Sequence, residues 1–194
     1  MAVALMGLAG CETQSHMEAA GNAAAKALFD EAHESNGVLT ERVLDMPVTD
    51  VADLPTTGAA VYDGYAGLGM GTTRNTALVG EASLTADFRQ GTVTGTLDNF
   101  VGQVDGGSYK AFDGSLDVRR GHVGGAAGNG FAADVSGELS RGVDHVVVDG
   151  GLIGDFHSRG GDEAVALRGM TTPETVFTLN GTDYAGGMTV VGTR

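Results

Sequence analysis

The sequence predicts an all-β fold, an eight-stranded antiparallel β-barrel preceded by a short helical or disordered N-terminal tether. Three observations lead to this prediction. From Gly58 onward apolar and polar residues alternate with period two, glycine-rich turns separate the alternating runs, and no helical pattern of useful length follows. Such alternation is typical of strands with one buried face. Parallel pairing would need crossover helices, so an antiparallel sheet closed on itself is favoured.

The first ten residues, MAVALMGLAG, are all apolar or small and carry no charge. They are too few to span a bilayer, which takes about 20 residues, and they match the hydrophobic stretch of a secretory signal. Leu8-Ala9-Gly10-Cys11 resembles the lipobox of bacterial lipoproteins. In that class the signal is removed before the cysteine, which then carries acyl chains. The resemblance implies a signal segment at 1–10, lipid attachment at Cys11 and a cell-envelope protein, anchored at the outer membrane.

The signal departs from the usual pattern, because neither Lys nor Arg precedes Cys11. Either the true start lies upstream or the signal is atypical. The alternative to a lipobox is a disordered apolar N-terminus with an incidental cysteine.

Residues 11–53 form the predicted tether. Ala, Lys, Glu and Leu over 12–36 favour a short helix, which Asn36-Gly37 is expected to end. Residues 37–57 hold two of the three prolines and predict an extended linker with one short strand. The weak apolar stripe of the helix consists of Ala20, Ala24, Ala27 and Leu28.

Residues 54–194 form the predicted barrel domain. Its eight runs cover 58–68, 77–88, 92–100, 111–121, 130–140, 143–156, 162–170 and 175–193. The alternation predicts that one set of side chains faces inward: Leu84, Ala86, Phe88, Val93, Gly95, Leu97, Phe131, Ala133, Val135, Gly137 and Leu139. The opposite face is rich in Thr, Ser, Asp and Glu, whereas a membrane-spanning barrel would show an outward apolar band with aromatic girdles. A barrel of this size encloses its own side chains or one small ligand.

Four segments resemble, in this order, the β-barrel domain of transferrin-binding protein B and its small lipoprotein relatives. They are LPTTGAAVYDG (54–64), LTADFRQGTVTGTLDNF (84–100), GFAADVSGEL (130–139) and GDFHSRGGDEAVALRG (154–169). The resemblance implies an eight-stranded barrel on a lipid tether, often at the outer membrane. The larger members bind host iron-carrying proteins, and that activity does not carry over, because this chain has one barrel and no room for their handle domain.

Composition excludes several classes of function. The net charge of −14 repels phosphate backbones, so we expect no nucleic-acid partner. A single cysteine forms neither an internal disulfide nor a thiolate metal site. We expect no metal and no cofactor, because none of the five histidines has a metal-binding spacing. His145 alternates with Val143 and Val147, which predicts an interior position for its ring.

No constellation of residues indicates an enzyme. Asp155, His157 and Ser158 have only the composition of a catalytic triad, since adjacent residues of a strand point to opposite faces. There is no Gly-x-Ser-x-Gly elbow.

We therefore expect a lipid-anchored binding protein whose barrel loops capture a protein or a small ligand, in the acquisition of iron, haem or another nutrient. The alternative is a structural or adhesion lipoprotein of the envelope without a specific small ligand. Exposed aromatic residues gathered at one barrel end would favour binding, and a uniformly polar, acidic exterior would favour the alternative. The candidate aromatic residues are Tyr62, Tyr65, Phe100 and Tyr109.

Overall fold

A computed structural model describes residues 9–124, 128–160 and 162–194, with side chains from residue 18 onward except that of residue 162. One long helix, α1 (Ala9–Leu44), and a short 3₁₀ helix (Val51–Asp53) precede the sheet. The strands are β1 (Ala59–Met70), β2 (Thr76–Asp87), β3 (Thr92–Gln103), β4 (Lys110–Ala111), β5 (Asp113–Gly124), β6 (Gly130–Arg141), β7 (Asp144–Arg159), β8 (Asp162–Thr171), β9 (Val176–Leu179), β10 (Thr182–Tyr184) and β11 (Gly186–Thr193).

Eight of these strands close into an antiparallel barrel, which confirms the predicted fold class. The order around the wall is β1, β2, β3, β5, β6, β7, β8 and β11, and β11 returns to pair with β1. The first seven predicted runs each coincide with one of these strands to within a few residues at either end. Because the barrel is closed, each of the eight strands pairs with a neighbour on both sides over at least part of its length. This protects the sheet from pairing with other chains.

The last predicted run, 175–193, is not one strand. Asn180 and Gly181 have φ angles of +52° and +81°, and their turn separates β9 from β10, while a second break at Ala185 separates β10 from β11. Asn-Gly is a strong signal for a two-residue hairpin turn because both positions require positive φ. The β9–β10 hairpin pairs with the first half of β7, while β8 pairs with the second half.

The predicted inward-facing residues are confirmed as part of the barrel core, except for Gly95 and Gly137, which are only partly buried. Leu84, Val93, Leu97, Val135 and Leu139 are all completely buried. Large rings fill the middle, where Phe156 lies 5.4–5.9 Å from the ring centres of Tyr62, Phe88 and Phe131. The interior is therefore occupied by the protein's own side chains.

The two ends of the barrel differ in what they carry. The upper end, as we name it, holds the β1–β2 turn, residues 104–109, the β6–β7 turn and the β9–β10 hairpin. The lower end holds the β2–β3 turn, the ends of β5 and β7 and the starts of β6 and β8. Helix α1 lies along the outside of the wall from the upper end to the lower end, as the contacts below show.

Helix α1 is longer than the sequence predicted, and it rests on a different face. It continues through Asn36-Gly37 to Leu44, so that the expected end and the first part of the expected linker are wrong. The predicted stripe of Ala20, Ala24, Ala27 and Leu28 is exposed. The contact stripe is instead shifted around the helix and repeats at intervals of three and four residues: Asn22, Ala25, Phe29, Ala32, Asn36, Leu39, Val43 and, just after the helix, Met46.

Two apolar clusters hold α1 on the outer wall. Near the upper end, Ala25 packs with Val79 and Val101, and Phe29 and Tyr109 join them. Near the lower end, Val43, which is completely buried, packs with Ala166 and Val191. Val79, Val101 and Val191 are apolar residues that point outward and so break the alternation. They do so because α1 covers the outer face of this part of the sheet.

Residues 46–49, which we call the strap, fasten the end of α1 to the lower end of the barrel. The Thr49 amide donates to the Phe156 carbonyl at 2.8 Å, and the Ser158 amide donates to the Pro47 carbonyl at 3.0 Å. The pairing of β6 with β7 ends at Asp155. The strap takes over from there and pairs with the last residues of β7, where Val48 stands opposite His157.

Candidate binding groove between the helix and the barrel

The proposed lipid-attachment residue, Cys11, lies in the first turn of α1. The proposed signal residues 1–8 lie outside the described residues, and the structure describes only the backbone of Cys11. Asn22 marks the upper contact of the helix with the barrel, where its Oδ1 accepts a hydrogen bond of 2.7 Å from the Tyr109 amide. Asn22 comes eleven positions after Cys11, which at a rise of about 1.5 Å per residue places Cys11 about 16 Å along the helix axis from this contact.

Packed side chains fill the barrel interior around Tyr62, and that part of the interior is not a binding site. Tyr62 is completely buried there, and its hydroxyl donates to the Ala164 carbonyl at 2.6 Å. Burial raises the pKa of the Tyr62 hydroxyl to about 12, because a phenolate would lose its hydration. This tyrosine is therefore a neutral structural group.

A groove runs along the outside of the barrel between α1 and the strands β1–β3. One cavity of about 530 Å³ opens between Leu28 of the helix and Val101 of β3. A second, of about 590 Å³, continues past Leu39. The two cavities share Tyr65, Glu81 and Asn99, so we treat them as one binding groove.

Carboxylates dominate the polar lining of this groove. Glu81 receives a hydrogen bond of 2.7 Å from Asn99 Nδ2, and Asp63 receives one of 2.8 Å from the Ser83 hydroxyl. The remaining acidic lining residues are Glu31, Asp98 and Asp113. Neither cavity has Lys or Arg among its described lining residues. The groove is thus an acidic channel with the half-buried ring of Tyr65 at its centre.

The arrangement of the strands places these groups side by side. Asp63 and Tyr65 of β1 stand opposite Ser83 and Glu81 of β2, and Glu81 stands opposite Asp98 of β3. All of them belong to the outward set of the alternation. A register shift next to Glu81 and a φ of +52° at Asn99 bring the Asn99 amide back to that carboxylate.

Chemically, the groove suits a cationic ligand. Carboxylates attract ammonium or guanidinium groups, and the face of an aromatic ring such as Tyr65 stabilises a nearby cation. Across the described part of the chain, no set of three or more His, Cys, Asp or Glu residues is disposed to hold a metal ion.

His145 does not occupy the interior position that the sequence predicted for it. His145 lies on the outer surface, with 51% of its side chain exposed, and its Nδ1 is 2.8 Å from Glu138 Oε1. The interior prediction is therefore wrong, because Val146 and Val148, and not their neighbours, face the core. His157 is buried beneath the strap, where its Nδ1 lies 3.1 Å from the Met46 carbonyl.

The four aromatic residues named as a test of loop binding do not gather at one exposed end. Tyr62 and Phe100 are completely buried in the core. Tyr65 and Tyr109 are half-buried on the outer wall beside α1. These four residues therefore do not form the exposed loop cluster expected of a ligand-capturing end, and two of them, Tyr65 and Phe100, line the groove.

Sequence reasoning missed the groove, although three signals pointed to a covered outer wall. Leu78-Val79, Phe100-Val101 and Val190-Val191 are adjacent apolar pairs inside alternating strands. Such pairs indicate burial on both faces of the sheet.

Among the described residues, no helix is both long enough and apolar enough to cross a bilayer. Comparison with known proteins adds no relative: no family model, no curated protein and no solved structure matches the chain.

Proposed function

We propose that the protein is a lipid-anchored binding protein of the cell envelope, held at the outer membrane through Cys11, and that its ligand binds in the groove between α1 and β1–β3. The observation that carries the proposal is the acidic groove around Tyr65 and Glu81, which is formed by the same helix that bears Cys11. The lipid supplies the attachment, and the barrel supplies a rigid wall for the groove.

The groove is a better place for a ligand than either the barrel interior or the loops. Aromatic and aliphatic side chains fill the core, and two of the four candidate loop aromatics lie inside it. Pockets that bind ligands combine apolar surface with a few polar groups, and the groove offers Leu28, Tyr65 and Val101 beside its carboxylates.

The carboxylate lining favours a ligand with amine or guanidinium groups, either on a small molecule or on a basic protein segment. Haem fits the lining less well, because its propionates are anionic. A role in acquiring a nutrient, which the family resemblance implies, is retained for a cationic nutrient or for a carrier protein that presents basic residues.

The second candidate is a structural or adhesion lipoprotein without a specific small ligand. The packed core favours it, as does the polar outer face with its exposed ion pairs, such as those of Arg120 with Asp134 and Arg119 with Asp117. A rigid barrel on a helical stalk would serve as a spacer without any groove ligand.

A titration with a short oligolysine peptide separates the two candidates. We expect the wild-type protein to bind the peptide, and the double variant Glu81→Gln/Asp98→Asn to bind severalfold more weakly, because each exposed ion pair contributes about 0.2–1 kcal/mol. Asp149→Asn is the matched control, because Asp149 is an exposed carboxylate on β7, away from the groove. Equal binding by the double variant and the control would remove the groove from the proposal.

The lipid anchor is tested by Cys11→Ala in the native cells, followed by fractionation. We expect the variant to leave the membrane fraction. Retention of the variant with the membranes would contradict attachment through Cys11.

A further inference from the structure

We propose that the upper end of the barrel faces the lipid surface and that the lower end faces away from it. This inference rests on the proposed attachment through Cys11. It adds the orientation of the barrel and the surface that meets the bilayer: the β6–β7 turn together with its neighbours at the upper end.

The direction of α1 carries the first step. Asn22 meets Tyr109 at the upper end, and Val43 meets Ala166 and Val191 towards the lower end. The helix therefore travels down the wall, and its N-terminal turns leave the barrel at the upper end. A lipid on Cys11 is consequently joined to the upper end by about 16 Å of helix, counted as the rise from Cys11 to Asn22.

The second step is that the helix is held at both ends of its path along the wall. The upper cluster of Ala25, Val79 and Val101 and the lower cluster around Val43 fix its line on the wall. The strap adds two backbone hydrogen bonds to β7 at 2.8 and 3.0 Å. A helix that is held at both ends of its path fixes the orientation of the barrel relative to the lipid end of the helix. A flexible linker would instead let the barrel rotate freely relative to the membrane.

The third step concerns the groups that stand nearest the proposed membrane side. Arg141 and Lys110 line a cavity together with Glu18 and Asn22 of α1, which places the end of β6 beside the departing helix. Two residues after Arg141, Val143 occupies the tip of the β6–β7 turn with 82% of its surface exposed. Lys110 pairs with Asp144 and Arg141 lies 3.9 Å from Asp113, so the exposed apolar side chain of Val143 is the group that suits contact with the headgroup region of a bilayer.

Fluorescence quenching in vesicles tests this orientation. The acylated protein, purified from its own cells, is reconstituted into phosphatidylcholine vesicles that contain a lipid with a headgroup quencher. A dye is attached through Val143→Cys at the upper end or, as the matched control, through Gln90→Cys in the exposed β2–β3 turn at the lower end. Acylation occupies the thiol of Cys11, the only native cysteine, so that the introduced cysteine is the only free thiol.

We expect severalfold stronger quenching at position 143 than at position 90, and equal fluorescence of the two once detergent dissolves the vesicles. Equal quenching, or stronger quenching at position 90, would overturn the orientation. Failure of the proposed anchor gives a different result, because the protein would then not float with the vesicles and the wild-type chain would react with the dye at Cys11.

Discussion

The hydroxyl of Tyr62 donates a hydrogen bond of 2.6 Å to the carbonyl of Ala164, a residue 102 positions further along the chain. Tyr62 belongs to β1 and Ala164 to β8, and β11 lies between these strands in the barrel wall. Ala164 has a φ of +49°, a conformation that alanine rarely adopts. The buried hydrogen bond thus joins the first strand of the barrel to a strained point of β8, past the intervening strand β11.

Replacing Tyr62 by phenylalanine should destabilise the barrel. The change removes the donor and leaves the Ala164 carbonyl buried without it, which costs about 1–3 kcal/mol. Thermal unfolding should show a melting temperature lowered by about 2–4 °C for each kcal/mol lost. Tyr65→Phe is the control on the same strand, since the Tyr65 ring lies in the outer groove. An unchanged melting temperature for Tyr62→Phe would refute the role of this hydrogen bond.

Tyr62 should also make the protein less stable at high pH. The pKa of its hydroxyl is about 12 in the folded protein and 10.0 in the unfolded chain, so the unfolded chain loses its proton first as the pH rises. Stability from this group is therefore complete below pH 10 and falls between pH 10 and 12, by up to about 2.7 kcal/mol in total. Urea unfolding at several pH values across this window measures the fall. Tyr62→Phe should show a shallower slope, and an identical slope in the variant would assign the effect to other groups.

Gly154 should not tolerate a side chain. A Cβ there would overlap the carbonyl oxygen of Arg168 and lie 2.6 Å from Phe131 Cε1. Gly154→Ala should therefore cost about 1–3 kcal/mol in chemical unfolding, as overpacked cores do. Gly187→Ala is the matched control, because its Cβ would meet nothing within 4 Å. Comparable losses in the two variants would indicate a general need for glycine in the strands instead of a local close approach.

Docking of α1 should depend on Val43. This side chain is completely buried, whereas Val38 of the same helix is 52% exposed. Val43→Asp places a charge against Ala166 and Val191, and we expect faster amide hydrogen exchange in the second half of α1, with strand content in far-ultraviolet circular dichroism preserved. Val38→Asp should leave the exchange unchanged. Unaltered protection in Val43→Asp would show that the lower cluster does not hold the helix.

The barrel was predictable because the alternation of apolar and polar residues that specifies each strand lies within that strand's own sequence. Alternation in stretches such as Leu84 to Phe88 records which face meets the core, and closure follows from the number of such stretches. The error at His145 shows the limit of the same rule. Both faces of the β7 start carry valines, so that the pattern alone does not choose between them, and pairing with β6 and β9 decides the outcome.

The groove and the path of α1 were not predictable in this way. Their contacts join the helix to strands far away in the chain, as Ala25 joins Val79 and Val43 joins Val191. The contact stripe also includes Asn22 and Asn36 among its apolar members, which hides it from a search for apolar periodicity. The turn at Asn180-Gly181 is a different case, because its two residues carry the hairpin signal by themselves.

Mass spectrometry of the N-terminal peptide, from protein purified out of its native membranes, is the most direct test of a lipid-anchored barrel. We expect the mature chain to begin at Cys11 and to carry the added mass of acyl chains on its thiol and amine. A peptide that continues upstream of Cys11, with an unmodified thiol, would contradict the anchor, and with it both the proposed function and the orientation of the barrel on the membrane.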